Sequence, residues 1–224
     1  MATIYPVPEL PRTDENDRYY NELAGSSIHR LAGLSDGIFA VAMTLLVLAL
    51  AVPTSSEVKS DAQLGQALIN LIPSVITYVS SFLTLGIFWV GQQTQLSQLE
   101  RTNRDYTWIN LAFLLFVTLL PFSTELLAHF YLSRIALVEY WLNILILGAL
   151  ILVSAEYAAR AGMFNPANQR TIMRAVRRRV YIAQSLYFIA TLLCIVDTRL
   201  SIGLIVLIQL NYAIAPRIAF LHRL

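Results

Sequence analysis

The chain has 224 residues, of which 57% are hydrophobic and 13% charged, with a formal net charge of +2 and a mean hydropathy of +0.60. Soluble domains carry about 25% charged residues, so this composition excludes a soluble globular protein and points to a polytopic membrane protein. The one cysteine, Cys194, excludes an intrachain disulfide.

Residues 1–29 form a polar segment containing Pro6, Pro8, Pro11 and the acidic run Asp14-Glu15-Asn16-Asp17. It lacks a basic stretch followed at once by an apolar one, so no cleaved signal peptide is expected. Residues 30–224 then read as one transmembrane domain. Six apolar spans can be marked in it, at about 34–52, 68–90, 107–128, 135–159, 180–196 and 200–219. The expected fold is therefore all-α: an integral-membrane bundle of six transmembrane helices, with no internal repeat. Pro73 and Pro121 fall inside the second and third spans, and kinks are expected there.

Basic residues orient the spans. With the N-terminus inside, all but three of the 16 basic residues fall on the cytoplasmic side, the exceptions being Lys59, Arg134 and Arg199. Both termini are thus expected inside, in the plasma membrane. The run Arg174 to Arg179 reads as an anchor to anionic lipid heads; no aromatic or motif context accompanies it that would point to nucleic acid.

The first span is the distinctive one. Ser35 to Val52 is 18 residues, roughly 27 Å as helix, close to the thickness of a bilayer's hydrocarbon core. Asp36 is its only charge and Thr44 its only mid-helix hydroxyl. An ionisable group in a spanning helix is costly unless paired and raises a functional hypothesis by itself. Val41, Thr44, Leu45, Leu48 and Val52 share one face at helical spacing, with Ala40, Met43 and Val47 opposite. From periodicity this stripe can face lipid or a packed bundle as well as a pathway, with Thr44 bonded to its own preceding turn. Arg30 can be a cytoplasmic anchor, Asp36 a charge facing the helix dipole, and Ser35 an N-cap.

No enzyme signature stands out: H-E-x-x-H, the Walker loop and C-x-x-C are all absent. His29, His129 and His222 are scattered, and Glu125, Glu139 and Glu156 lie near span ends where head-group water can reach them. The expectation is no catalytic residue, no cofactor, no resident metal, and no small-molecule substrate beyond monovalent cations.

The string R-x-x-x-L-S-D-G-I-F-A-V-A-M-T-L-L-V-L, beginning at Arg30, resembles the R-x-x-x-F-S-D signature of the transmembrane-protein-175 family. Its members are the potassium channels of bacterial membranes and of lysosomes. Further stretches fit: P-S-V-I-T-Y-V-S-S-F-L-T-L-G-I-F-W from Pro73, W-I-N-L from Trp108 and P-F-S-T-E-L-L from Pro121. The resemblance covers about 30–127.

It implies a homotetramer in which the first helix of each subunit lines a central pore, closed by symmetry. It further implies a potassium-preferring cation channel without the Thr-Val-Gly-Tyr-Gly carbonyl filter, a string this chain does not contain. Carried over by position, an aliphatic constriction falls on Val41, Leu45 and Leu48, with a hydroxyl ring at Thr44 that a passing K+ can touch. Arg30, Ser35 and Asp36 would form a structural hydrogen-bonding knot, with Gln92 and Asn110 as partners. Three positions depart from the pattern: Leu34 replaces the signature phenylalanine, Gln92 stands where many members have histidine, and Ala49 where an acid often follows. Glu57 and Asp61 are the substitutes for that outer acid. Two other classes remain compatible with the residues, a structural or regulatory membrane subunit and a secondary transporter. The transporter would call for midplane polar residues and usually a repeat.

Overall fold

The structure, a computed structural model, describes residues 27–54 and 58–214. Residues 1–26, Glu57 and the last part of the sixth expected span lie outside the described residues.

The described residues fold into seven α-helices: α1 (Ile28–Leu45), α2 (Asp61–Asn70), α3 (Ile72–Leu96), α4 (Arg104–His129), α5 (Arg134–Arg160), α6 (Pro166–Leu192) and α7 (Thr198–Ile214). Short 3-10 turns prolong α1 over Leu46–Ala49 and α6 over Leu193–Ile195. Among the described residues, four segments are long and apolar enough to cross a membrane: Ile28–Ala49, Ile72–Leu96, Arg104–His129 and Arg134–Arg160. The α6 helix mixes two characters, arginines over Arg170–Arg179 and an apolar stretch from Val180, and α7 is apolar over its described residues.

Local signals set the helix ends. Ser27 caps α1, its hydroxyl accepting from the Arg30 amide at 3.3 Å. The helix thus starts one and a half turns before the apolar run, and Ser35 sits well inside it, so it is not a cap. Asn103 caps α4 and Asn165, followed by Pro166, caps α6. Gly162 ends α5 with φ of 63°, a left-handed conformation that favours glycine. The Met163 amide then reaches back to the Ala158 carbonyl at 2.9 Å.

Pro73 does not kink a long second span. The chain breaks at Leu71 instead, and Pro73 takes a place in the first turn of α3, where a missing amide proton costs nothing. Pro121 does lie within α4.

Contacts between loops give the up-and-down arrangement. At one end the α3–α4 and α5–α6 connections meet: the Glu100 amide bonds the Met163 carbonyl at 2.9 Å, and Asn165 bonds the Glu100 carboxylate. Leu31 of α1 packs there with Leu96, Tyr106 and Ala155. At the other end Arg134 and Thr198 bridge the α4–α5 and α6–α7 connections through Ile195 and Leu132 carbonyls. The first end carries Arg101, Arg104 and Arg160, the second Arg134 and Arg199.

The main core runs through the middle, with Phe39, Leu85, Phe113, Leu137 and Ile144 fully or nearly fully buried. Lipid is as apolar as leucine, so helix association in a bilayer leans on close packing and interhelical hydrogen bonds. A polar relay supplies them. Gln209 of α7 bonds Ser80 and Thr84 of α3; Thr84 meets the Tyr140 hydroxyl of α5, which also accepts from Ser81, which in turn accepts from Thr124 of α4. Four helices are keyed to one another by these six side chains.

Candidate functional site

The α1 helix has two unlike faces. Leu31, Ser35, Phe39, Ala42, Leu46 and Ala49 are buried, and α1 packs against α3 and α4. Val41, Leu45 and Leu48 are 58%, 44% and 71% exposed, and Thr44 is exposed beside them. The aliphatic stripe read from the sequence is therefore the uncovered face of the subunit. The expected opposite face needs correction. Ala40 and Val47 are exposed and Met43 only half-buried, because the large aromatic Phe39 seats against Phe113 with ring centroids 6.0 Å apart and sets the rotation of the helix.

Thr44 donates to the Val41 carbonyl at 2.8 Å, which leaves its oxygen lone pairs turned outward. Just beyond it the backbone tightens to a 3-10 turn at Leu46. That adds roughly 20° per residue over an α-helix, so Leu48 sits about 60° further round than α geometry would put it. Ala49 is buried, so the position expected to carry an outer acid faces the core. Asp61, its stand-in from the sequence, opens α2 and is exposed.

Below the stripe lies a buried polar cluster. Gln92 of α3 donates to Ser35 at 3.1 Å and to Asn110 of α4 at 2.7 Å, and Asn110 reaches Ser35 at 3.4 Å. Ser35 itself donates to the Leu31 carbonyl at 2.9 Å. All three side chains are buried. The structure thus brings Ser35, Gln92 and Asn110 together and leaves two expected members apart. The Arg30 side chain is exposed, and among the described residues it bonds none of the others. Asp36 turns to the exterior, where its Oδ1 accepts from Trp89 Nε1 at 2.8 Å and from Gln93 Nε2 at 2.5 Å.

Trp89 and Gln93 were missed as partners from the sequence. Their spacing of four puts them on one helix face, and the amide-rich run Gln92-Gln93-Thr94-Gln95 at the end of an apolar helix was the available signal. Gln95 makes a parallel connection to Ser154 of α5 at 2.8 Å.

The letters Gly33-Leu34-Ser35-Asp36-Gly37 also fit the G-x-S-x-G spacing of a nucleophile elbow, which a signature-free reading of this chain overlooks. The fit is only in letters. An elbow needs a strand-to-helix turn that exposes the serine, whereas Ser35 is buried mid-helix and spends its proton on a backbone carbonyl. Glu139 also departs from expectation. It is half-buried and accepts from Ser123 at 2.9 Å, and its other oxygen is buried without a partner among the described residues.

A cavity of about 710 Å³ runs between α1 and α3, walled by Phe39, Met43, Phe82 and Trp89, with Asp36 and Arg179 at its rim. Together with the stripe it leaves most of one side of α1 open.

Comparison with known proteins bears on these faces. The family model for the endosomal/lysosomal potassium channel TMEM175 matches residues 30–121, which span α1 to the middle of α4. A potassium channel of Streptomyces collinus is 30% identical over 188 residues, 82% of this chain and 90% of that protein. A potassium channel of Chamaesiphon minutus is 28% identical over 193 residues, 84% of this chain and 95% of that one. Among solved structures, the crystal structure of a lysosomal potassium-selective channel TMEM175 homolog from Chamaesiphon minutus superposes with a TM-score of 0.74 at 27% identity. It covers 85% of this chain and 98% of its own. These relatives are named as channels, not enzymes.

Proposed function

The chain belongs to the TMEM175 family of channels, and from that premise we propose that it is a potassium-preferring cation channel built as a homotetramer in the plasma membrane. Four α1 helices would surround a common axis, since one helix per subunit cannot enclose a pathway but four related by closed symmetry can. The apolar part of α6 and α7 would complete six crossings, with both termini cytoplasmic.

One observation carries this reading: α1 buries Phe39, Ala42 and Leu46 while its aliphatic stripe stays uncovered. On the axis, Val41, Leu45 and Leu48 from four subunits would make an apolar ring that closes by dewetting, since methyl groups give nothing back to a stripped ion. Thr44 would offer a ring of oxygens within that ring. Potassium sheds water more readily than sodium, so a side-chain constriction of this kind favours potassium moderately, without a carbonyl filter. The buried cluster of Ser35, Gln92 and Asn110 fixes the roll angle of α1, and with it which residues face the axis.

The test is reconstitution. Purified protein should run as a tetramer and carry a potassium flux into liposomes that exceeds the sodium flux. Protein that passes no cation at any voltage or pH would instead be a structural or regulatory subunit. Saturable, substrate-coupled uptake would make it a transporter.

A further inference from the structure

The channel reading makes no use of the cleft between the C-terminal turn of α5 and the N-terminal half of α6. It has a volume of about 890 Å³. Five arginines line it, Arg160 from α5 and Arg170, Arg174, Arg177 and Arg178 from α6, against a single carboxylate, Glu156. Glu156 is engaged by Arg177 in a two-pronged pair, Nε to Oε1 at 2.6 Å and Nη2 to Oε2 at 2.9 Å. The pair pins α6 to α5 and neutralises the Arg177 guanidinium, while Arg160, Arg170 and Arg174 keep the cleft positive.

Its position decides what anion suits it. Arg160 is the last residue of an apolar 27-residue helix, and the apolar part of α6 begins at Val180, directly after the arginines. The cleft therefore lies at the level where hydrocarbon gives way to water, at the end of the bundle that holds Arg101 and Arg104. Its floor includes Ala159 and Met173, the latter buried. Cationic walls over an apolar floor, at head-group depth, match a molecule with a phosphodiester joined to a greasy neck. Guanidinium forks suit phosphate oxygens in particular.

We propose that this cleft is a binding site for the head group of an anionic phospholipid such as phosphatidylglycerol, one per subunit. The phosphate would lie among Arg160, Arg170 and Arg174, and the glycerol neck would rest on Met173. The bound lipid would bridge α5 and α6 alongside the Glu156–Arg177 pair.

The experiment uses the full chain in neutral detergent, read by native mass spectrometry and by thermal unfolding. The titrants are phosphatidylglycerol, phosphatidylcholine and inorganic phosphate. Wild type should retain one phosphatidylglycerol per subunit, bind it at least tenfold more tightly than phosphatidylcholine, and melt higher with it. The double variant Arg170→Gln/Arg174→Gln should lose at least tenfold in that binding. The pair Arg134→Gln/Arg199→Gln at the other end should lose none. If Arg170→Gln/Arg174→Gln already melts lower in phosphatidylcholine, Arg160→Gln is read in its place with the same expected loss. Equal binding of the two lipids, or full binding by the cleft variants, overturns the proposal. So does a shift by inorganic phosphate equal to that by phosphatidylglycerol, which would make the site one for the free anion.

Discussion

Gln92 divides the two protons of one amide between Ser35 Oγ at 3.1 Å and Asn110 Oδ1 at 2.7 Å. A single side chain thereby joins α1, α3 and α4, and holds α1 at one angle about its axis. Replacing it with leucine removes both bonds and strands Asn110 Oδ1 in a buried setting. Such bonds are each worth about 1 kcal/mol or somewhat less in membrane proteins. Gln92→Leu should therefore lower stability by about 1–2 kcal/mol, seen as a lower melting temperature in detergent, and should disturb flux more than its distance from the axis would suggest. A melting temperature and flux both equal to wild type would remove Gln92 from the account.

Asp36 makes a different prediction because it looks outward. Asp36→Asn keeps an acceptor for Trp89 and Gln93, so the melting of the subunit should change by less than about 1 kcal/mol. The charge is lost, however, at the rim of the open cavity between α1 and α3. The tetramer fraction in size-exclusion chromatography with light scattering should fall, or gating should change. An unperturbed tetramer with normal flux would count against a role for this carboxylate.

Neighbouring leucines on α1 should behave in opposite ways. Leu46 is fully buried while Leu45 and Leu48 are exposed on the subunit. Leu46→Ala opens a cavity in the core and should cost about 2–5 kcal/mol of stability. Leu45→Ala and Leu48→Ala should leave the fold within about 1 kcal/mol and raise cation leak, because a smaller apolar ring wets more easily. Liposome flux alongside thermal melts separates the two patterns, and unchanged flux in both exposed variants would argue against a constriction here.

Thr44→Ala removes an outward hydroxyl and a bond to the preceding turn. Ion flux should persist while the preference for potassium over sodium falls, read as a shift in reversal potential under bi-ionic conditions. A preserved preference would place the selective step elsewhere.

Gly148 offers a test of α5–α6 packing remote from the axis. A Cβ there would lie 1.8 Å from Gln184 Nε2, the atom that donates to the Ile144 carbonyl at 3.1 Å. The amide is the far end of a flexible chain and can swing away, so Gly148→Ala should cost about the lost bond, near 1 kcal/mol. The double variant Gly148→Ala/Gln184→Ala should melt no lower than Gln184→Ala alone, since both changes give up the same bond.

Much of the architecture was legible in the letters. Long apolar runs reveal where α1, α4 and α5 lie, since a bilayer selects on composition and length alone. That Val41, Thr44, Leu45 and Leu48 share one face followed from helical spacing, and the grouping of Gln92 and Asn110 with Ser35 from position in shared stretches. Other features were out of reach. The break at Leu71 lies between Asn70 and Pro73, letters that signal a disturbance of the helix but do not say whether it kinks or ends. The partners of Asp36 proved to be Trp89 and Gln93, and Phe39, not among the residues placed opposite the stripe, lies on the buried face. Lipid and bundle interior are equally apolar, so hydrophobicity cannot say which side of a spanning helix turns inward. That choice is made by how particular side chains fit together, Phe39 against Phe113 and Gln92 between Ser35 and Asn110, and such contacts exist only once the helices have met.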